Sequence, residues 1–269
     1  MTCFVSCSQR LASARKRAQR AQARNLTHYK MWSIAIPSYN RSDVIASKTL
    51  KTLECIDRNT ITIFVIPEEL ELYRKTCPGY QIVPGVKGLV NQRQFIENWY
   101  PLDSNILFMD DDVSGLFFVS DEKTRRPIEN LAQFITEGFA KMAEVGATIW
   151  GIYPVDNTMF SFKSKEISNG LSYIVGAFYG QKNTRDINLE TGDGVEDRER
   201  SVLRFLRDGR VLRFNRFGMK TKYFAPGGMM SDERQKTHQI ASETLVQKYP
   251  KLLRLKTRKN GYVDCQIKS

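Results

Sequence analysis

A chain of 269 residues, 41 % of them apolar, is long enough for one large domain or two small ones with a sizeable core. No apolar run reaches the roughly 18–20 residues that span a bilayer, and the N-terminal apolar stretch is too short for a signal peptide, so no membrane partner is expected. The net charge of +12 is unevenly placed: residues 1–30 carry seven Lys or Arg and no acid, residues 31–197 sum to −7, and residues 198–269 sum to +12. A basic quarter of that density points to a polyanion, nucleic acid before membrane, although a solvated basic face would give the same count. The five cysteines (Cys3, Cys7, Cys55, Cys77, Cys265) are odd in number and lack CxxC spacing. They predict a reducing, cytoplasmic setting with neither a zinc ribbon nor a disulfide framework. His28 and His238, the two histidines, argue against a multi-histidine metal site and leave little room for a Ser-His-Asp triad.

Residues 1–30 are rich in Arg, Ala and Gln and have almost nothing to bury after Leu11, so they read as a basic, disordered or frayed extension before Met31. The pattern over 31–269 is α/β. A strand is expected over Trp32–Pro37, followed by the polar loop Ser38-Tyr39-Asn40-Arg41 and a helix from Asp43 to about Ile56. Ile61–Ile66 is β-branched and closed by Pro67. A short helix over Glu68–Lys75, a strand over Tyr80–Val83, the loop Gly85–Gly88 and a helix over Leu89–Trp99 follow. Ile106–Met109 reads as a buried strand, Ile128–Glu144 as an amphipathic helix, Thr148–Tyr153 and Ser172–Tyr179 as strands, and Val195–Arg207 as a helix ending at Gly209. This alternation implies a mainly parallel sheet flanked by helices in a single domain.

The strand over Ile106–Met109 delivers three carboxylates in a row, Asp110, Asp111 and Asp112. Like charges about 4 Å apart at an effective dielectric of about 20 repel by on the order of 4 kcal/mol per pair. A hard divalent cation such as Mn²⁺ or Mg²⁺ removes that cost. Strand alternation would put Asp110 and Asp112 on one side, able to hold a metal against a diphosphate, and Asp111 on the other.

In combination, the strand followed by Ser38–Arg41, the loop and helix with Gly88, Asn91 and Arg93, the run FMDDDV ending at Val113, and GVEDRERSVLRFLRDG over 194–209 resemble nucleotide-sugar glycosyltransferases of the GT-A fold. The likeness is closer to the TET/JBP-associated glycosyltransferases, the base J-type enzymes that put a sugar on 5-hydroxymethylcytosine or 5-hydroxymethyluracil in DNA. It runs from Met31 through about Gly228. It implies a GT-A fold, a UDP-sugar donor with glucose as the default, and Mn²⁺ or Mg²⁺ held by Asp112 and Asp110. Pro37, Ser38, Tyr39 and Arg41 would meet the uridine, Arg93 the diphosphate or uridine, Asp110 the ribose or a metal-bound water, and Asp111 would be an auxiliary member. Asp197 would be the general base of an inverting transfer, with Glu196 beside it. Gly192, Gly194 and the Pro226-Gly227-Gly228 turn would lie near the donor, and His238 is either a further metal ligand or a structural helical histidine. Arg198, Arg200, Arg213 and Arg216 would contact hydroxymethylated DNA, making 198–269 the acceptor-binding part. No obligate protein partner is implied, and a bacteriophage-encoded enzyme inside its host cell fits the likeness.

Two alternatives stay open on the sequence. A GT-A enzyme acting on a glycan, lipid or protein would share the acidic motif without needing the basic quarter. Clustered acids beside a basic surface also suit a two-metal nuclease or nucleotidyltransferase, which needs no UDP-sugar.

Overall fold

The computed structural model describes residues 32–221, 232–258 and 261–268. The extension expected over residues 1–30 and the Pro226-Gly227-Gly228 turn lie outside them. The strands are β1 Trp32–Pro37, β2 Ile61–Val65, β3 Gln81–Pro84, β4 Asn105–Met109, β5 Gly115–Val119, β6 Arg125–Pro127, β7 Ile149–Ile152, β8 Ile167–Ser168, β9 Phe178–Lys182, β10 Leu212–Phe214, β11 Phe217–Lys220, β12 Leu253–Thr257 and β13 Val263–Ile267. Eight form one sheet in the order β3-β2-β1-β4-β9-β7-β10-β8. Its first four strands run parallel, as do β7 and β10, while β9 runs against both β4 and β7. The central strands are covered on both faces, which is why Ile34, Ala35 and Ile36 are all buried and why all five residues of β2 are. Strands β11-β5-β6 make a second sheet and β12-β13 a hairpin.

The expected helix over Asp43–Ile56 is instead two short ones, Ser42–Ser47 and Thr49–Thr52, broken at Lys48 (φ −118°, ψ −81°). The break turns two threonine hydroxyls towards the loop after β4: Thr49 Oγ1 donates to the Asp110 carbonyl at 2.7 Å and Thr52 Oγ1 to the Val113 carbonyl at 3.1 Å. The strand expected from Ser172 begins only at Phe178. Residues ahead of it serve the helix Glu196–Asp208 instead, the Ile174 amide donating to Ser201 Oγ at 3.0 Å. That helix has three acids in its first turn and Arg207 in its last, matching its dipole, and it ends at Gly209 in the left-handed conformation (φ +71°).

The main core gathers on Trp150 of β7, which is fully buried and met edge-on by Phe134, Phe139, Phe178 and Phe214 at ring separations of 5.6, 5.6, 5.9 and 5.7 Å. Gly180 of β9 leaves room for that indole. A Cβ there would stand 2.6 Å from Trp150 Cε2 and 2.8 Å from Phe139 Cζ. A smaller core of Val195, Val202, Ala241, Leu245, Leu253 and Cys265 binds the helix Asp232–Lys248 and the β12-β13 hairpin to the Glu196–Asp208 helix. Among the described residues no helix is long and apolar enough to cross a membrane, and Cys55, Cys77 and Cys265 are free thiols.

Because neither the indole nor the Phe139 ring can move without opening the core, Gly180→Ala is expected to lower stability by about 1–3 kcal/mol through overpacking. Urea unfolding measures it, and an unchanged midpoint would mean that the core relaxes around the methyl group.

Candidate active site

The connection from β1 leads to β2 on one side and the connection from β3 returns to β4 on the other. Adjacent β1 and β4 thus frame the switch point at their carboxyl ends, where open α/β sheets bind ligands. The loops that meet there are Ser38–Arg41 and Asp110–Asp112.

Strand geometry stops at Met109, so alternation does not govern the three carboxylates. Asp111 and Asp112 face the same cation, both accepting from Arg41 Nη1, at 2.9 and 3.2 Å. Asp111 also accepts from Ser38 Oγ at 2.6 Å, and Asp112 from Thr221 Oγ1 at 2.9 Å. The Ser38 hydroxyl lies 2.7 Å from that of Tyr73, which accepts from the Arg41 amide at 3.1 Å and is pushed up to about 12, by burial first. Asn40 adopts φ +53°, a region asparagine tolerates, and its amide donates to the Glu69 carboxylate at 3.1 Å. Tyr39, next to Pro37 and Ser38, presents an exposed ring with the Lys87 ammonium 5.9 Å from its centre. The loop thus brings Ser38 and Arg41 onto the acidic cluster and leaves Tyr39 free to meet a ligand.

Arg93, on the helix Leu89–Trp99, is not a free cation awaiting a diphosphate. Buried, it donates to Asp110 Oδ1 at 3.3 Å, to Glu196 Oε1 at 3.0 Å and to the Gly176 carbonyl at 3.0 Å. Burial alone would lower its pKa, but Tyr179 first, then Glu196, Asp110 and Asp197, more than offset that. Gly176 must be glycine for this contact, since a Cβ would lie 2.9 Å from both terminal guanidinium nitrogens. The helix carrying Arg93 begins at Gly88, which has no side-chain cap of its own. Asp193 caps it from 104 and 103 residues downstream, accepting from the Leu89 and Val90 amides at 3.2 and 2.9 Å.

Glu196 and Asp197 open the Glu196–Asp208 helix and both are buried. Glu196 joins Arg93 and accepts from the Gly194 amide at 3.0 Å. Asp197 accepts from the Tyr173 hydroxyl, from the Gly176 amide at 3.3 Å and from Arg198 Nη1 at 3.2 Å. Gly192 and Gly194 have positive φ (+74° and +115°) and turn the preceding loop. The structure therefore joins Asp110, Arg93 and Glu196 directly, and brings Asp197 to the same peptide, Gly176.

The arginines expected to meet DNA are largely turned inward. Arg198 donates to Asp264 Oδ2 at 3.0 Å and to the Cys265 carbonyl at 2.9 Å. Arg200 is 2 % exposed and stacks 3.9 Å over the Tyr179 ring. Arg213 donates to Asn215 and to the Tyr173 carbonyl, and Arg216 lies 3.8 Å over Phe162. Arg198 and Arg200 cannot reach a phosphate from there, because hydrophobic packing of their helix carries their stems into the interior. Exposed cations of the segment include Lys251, Arg254, Lys256, Arg258 and Lys268 on and beside the hairpin, along with Arg207, Arg210, Lys220, Lys236 and Lys248 elsewhere. Asp264, held at about 2 against burial by His238, Arg198 and Arg258, ties that hairpin to the Asp197 helix. His238 accordingly sits 3.2 Å from Asp264 with its ring 4.8 Å from Tyr262, a structural placement.

Among the described residues no three acid, imidazole or thiol groups converge as a ready metal site. The donor set is nevertheless all hard oxygen. Asp110 has one carboxylate oxygen with no donor among the described residues, and 36 % of its side chain is exposed. A divalent cation would find its least committed oxygen on Asp110, since Asp111 and Asp112 each already accept at both oxygens, and would complete its shell with ligand oxygens and water.

No protein-family model matches the chain, and no curated protein sequence matches it. Among solved structures, glucosyl-3-phosphoglycerate synthase from Mycobacterium tuberculosis with phosphoglyceric acid is similar at 14 % identity and a TM-score of 0.51, over 83 % of this chain and 82 % of that one. The same synthase with Mn²⁺ and UDP-glucose is similar at 12 % identity and a TM-score of 0.51, over 91 % and 89 %. The likeness is one of fold: this chain has the mixed, mostly parallel α/β sheet of the GT-A glycosyltransferases.

Although its side chain keeps an open edge, the Asp110 carboxyl lies deep among protein atoms and is pushed up to about 7, by burial first and then by Asp112, Asp111 and Glu196 against the pull of Arg93. Unfolded, it would ionise near pH 4. The folded chain therefore retains a proton that the unfolded chain has lost between these values. The stability this proton contributes is complete below about pH 4 and lost by about pH 7. Metal-free protein is expected to lose stability as pH rises through that window, and Asp110→Asn to flatten the decline, as read from urea midpoints across about pH 4 to 8. An identical slope in the variant would assign the titration elsewhere.

Proposed function

We propose that this chain is a divalent-metal-dependent glycosyltransferase that moves a sugar, glucose by default, from a UDP-sugar to the hydroxymethyl group of a 5-hydroxymethylpyrimidine in DNA. The observation that carries the donor half is the Asp110–Asp112 turn at the β1/β4 switch point, its carboxylates shared between Arg41 and Arg93. The mycobacterial synthase of like fold holds Mn²⁺ and UDP-glucose, which supports the same ligands here. The acceptor half rests on the family resemblance of the motifs and on the exposed cations of the hairpin. Arg254 and Lys256 alternate along β12 and so share one face. Asp264 anchors that hairpin to the helix bearing Asp197.

In this reading Tyr39 packs against the uracil, Ser38 and Arg41 order the acidic turn, and Asp112 with Asp110 holds the cation. When bound, the cation stabilises the negative charge on departing UDP as a Lewis acid. The hydroxymethyl oxygen attacks the anomeric carbon, its proton passes to Asp197, and the bond to UDP breaks. An alcohol is a weak nucleophile until that proton is taken, and Tyr173, Gly176 and Arg198 fix the carboxylate that takes it. Glu196, held by Arg93, keeps the acidic turn and the base helix in register. A single displacement of this kind inverts the anomeric centre.

The test follows UDP release from UDP-glucose and Mn²⁺ in the presence of hydroxymethylated DNA, unmodified DNA or phosphoglyceric acid. Release is expected with hydroxymethylated DNA alone, abolished by EDTA, with a β-linked product by NMR of the anomeric proton. Asp197→Asn is expected to bind donor but lose about 10²–10⁴ in single-turnover rate. Activity in chelator would remove the metal role, an α-linked product would remove the inverting mechanism, and release with phosphoglyceric acid alone would remove the DNA acceptor.

Binding to DNA is expected to weaken steeply with salt through counterion release. Lys256→Ala and Arg254→Ala should weaken it further while UDP affinity stays unchanged. Filter binding across a salt series checks this, and a flat salt response would assign the hairpin another partner.

A further inference from the structure

Between the Leu89–Trp99 helix and the Glu196–Asp208 helix lies a chamber lined by Val90, Arg93, Glu97, Tyr179, Ile187 and Arg200, among others. Its volume of about 20 Å³ holds a water or a small ion and is too small for a sugar. Arg200 reaches into it with Nε, Nη1 and Nη2 all buried and, among the described residues, all without a hydrogen-bond partner, as is Arg93 Nε on the same wall. No carboxylate pairs with Arg200 among the described residues, although the other buried guanidiniums nearby are matched. Arg93 has Glu196 and Asp110, and Arg204 has Asp186 at 4.0 Å. The acid on the chamber wall is Glu97. Its carboxylate accepts from Gln181 at 2.6 Å, and burial raises its pKa, against which Arg204 acts ahead of Arg200.

A guanidinium out of water, with every donor unmet, is among the costliest arrangements a fold can hold. The stacking of Arg200 on Tyr179, itself stacked on Phe108 with ring centres 4.9 Å apart, orients the cation but offers no acceptor. Glu97, held by Gln181, acts on this charge only at longer range, and one water would give the guanidinium an acceptor without a charge in contact. An anion supplies both at contact, and a monatomic one suits a volume this small.

We propose that this chamber is a buried halide site, in which a chloride ion accepts from the Arg200 guanidinium and from Arg93 Nε. The site stands apart from the sugar-transfer reading, since it rests on the cavity and its unmet donors alone. Its consequence for the active site is mechanical. A chloride between the two arginines fixes the back of Arg93, whose front holds Asp110 and Glu196.

Crystals of the full chain grown in bromide test the site directly. The expected result is an anomalous bromide peak within hydrogen-bonding reach of Arg200 and Arg93; no peak in the chamber overturns the proposal. In solution, at constant ionic strength, replacing gluconate by chloride is expected to raise the melting temperature by about 3–5 °C per tenfold of chloride beyond half-saturation. Arg200→Met, which keeps a stem over Tyr179 without the charge, should abolish that dependence. An equal chloride response in wild type and variant overturns the site. If the variant does not fold, the bromide map alone decides.

Discussion

One buried cation organises the functional end of this molecule. Arg93 places one terminal nitrogen on Glu196 and the other on Asp110 and the Gly176 carbonyl, so the acidic turn after β4 and the first turn of the Glu196–Asp208 helix share a charge. Separating such a group from its partners costs far more than making the pair contributes, because the stranded charge stays buried. The neighbouring residue types follow from that constraint. Residue 176 can carry no side chain, the Gly194 amide must turn inward to meet the second oxygen of Glu196, and Asp110 is left raised and half-open where a ligand cation would stand.

Around this centre, parts distant in sequence hold the loops in place. Thr49 and Thr52, at a break between two short helices, fix the backbone of the acidic turn. Asp193 starts the helix that carries Arg93. Asp264 fastens the C-terminal hairpin to Arg198, and Arg198 in turn to Asp197. Each is a polar side chain satisfied inside the fold, so each adds orientation as well as stability.

Much of the frame was legible in the sequence because it depends on local periodicity. The strand Trp32–Pro37 and the helix Leu89–Trp99 have the expected limits, and the stop at Gly209 follows from glycine's access to positive φ. The run Asp110–Asp112 marked the site because consecutive acids after an apolar strand are electrostatically unfavourable without a partner. What failed depended on distance. Alternation could not anticipate that the chain leaves the strand at Asp110, nor that Asp111 and Asp112 share Arg41. The resemblance that set Arg198 and Arg200 beside DNA carried no means of telling a buried guanidinium over Tyr179 from an exposed one. Asp264 did carry a faint signal, as one of only six acids in the basic segment 198–269. Nothing local announced Asp193, Tyr173 or Thr221, whose roles arise from pairings set by the tertiary fold.

The acidic turn and the first turn of the Glu196–Asp208 helix form one charge network through Arg93. A double-mutant cycle on the two acids that flank it, Asp110→Asn and Glu196→Gln, tests this most directly, with unfolding free energy as the readout. Independent sites add to within about 0.3–0.5 kcal/mol, whereas members of one ion network couple by about 0.5–3 kcal/mol. A coupling above about 1 kcal/mol is expected, vanishing when Arg93 is replaced by Met. Additivity in the presence of Arg93 would contradict it.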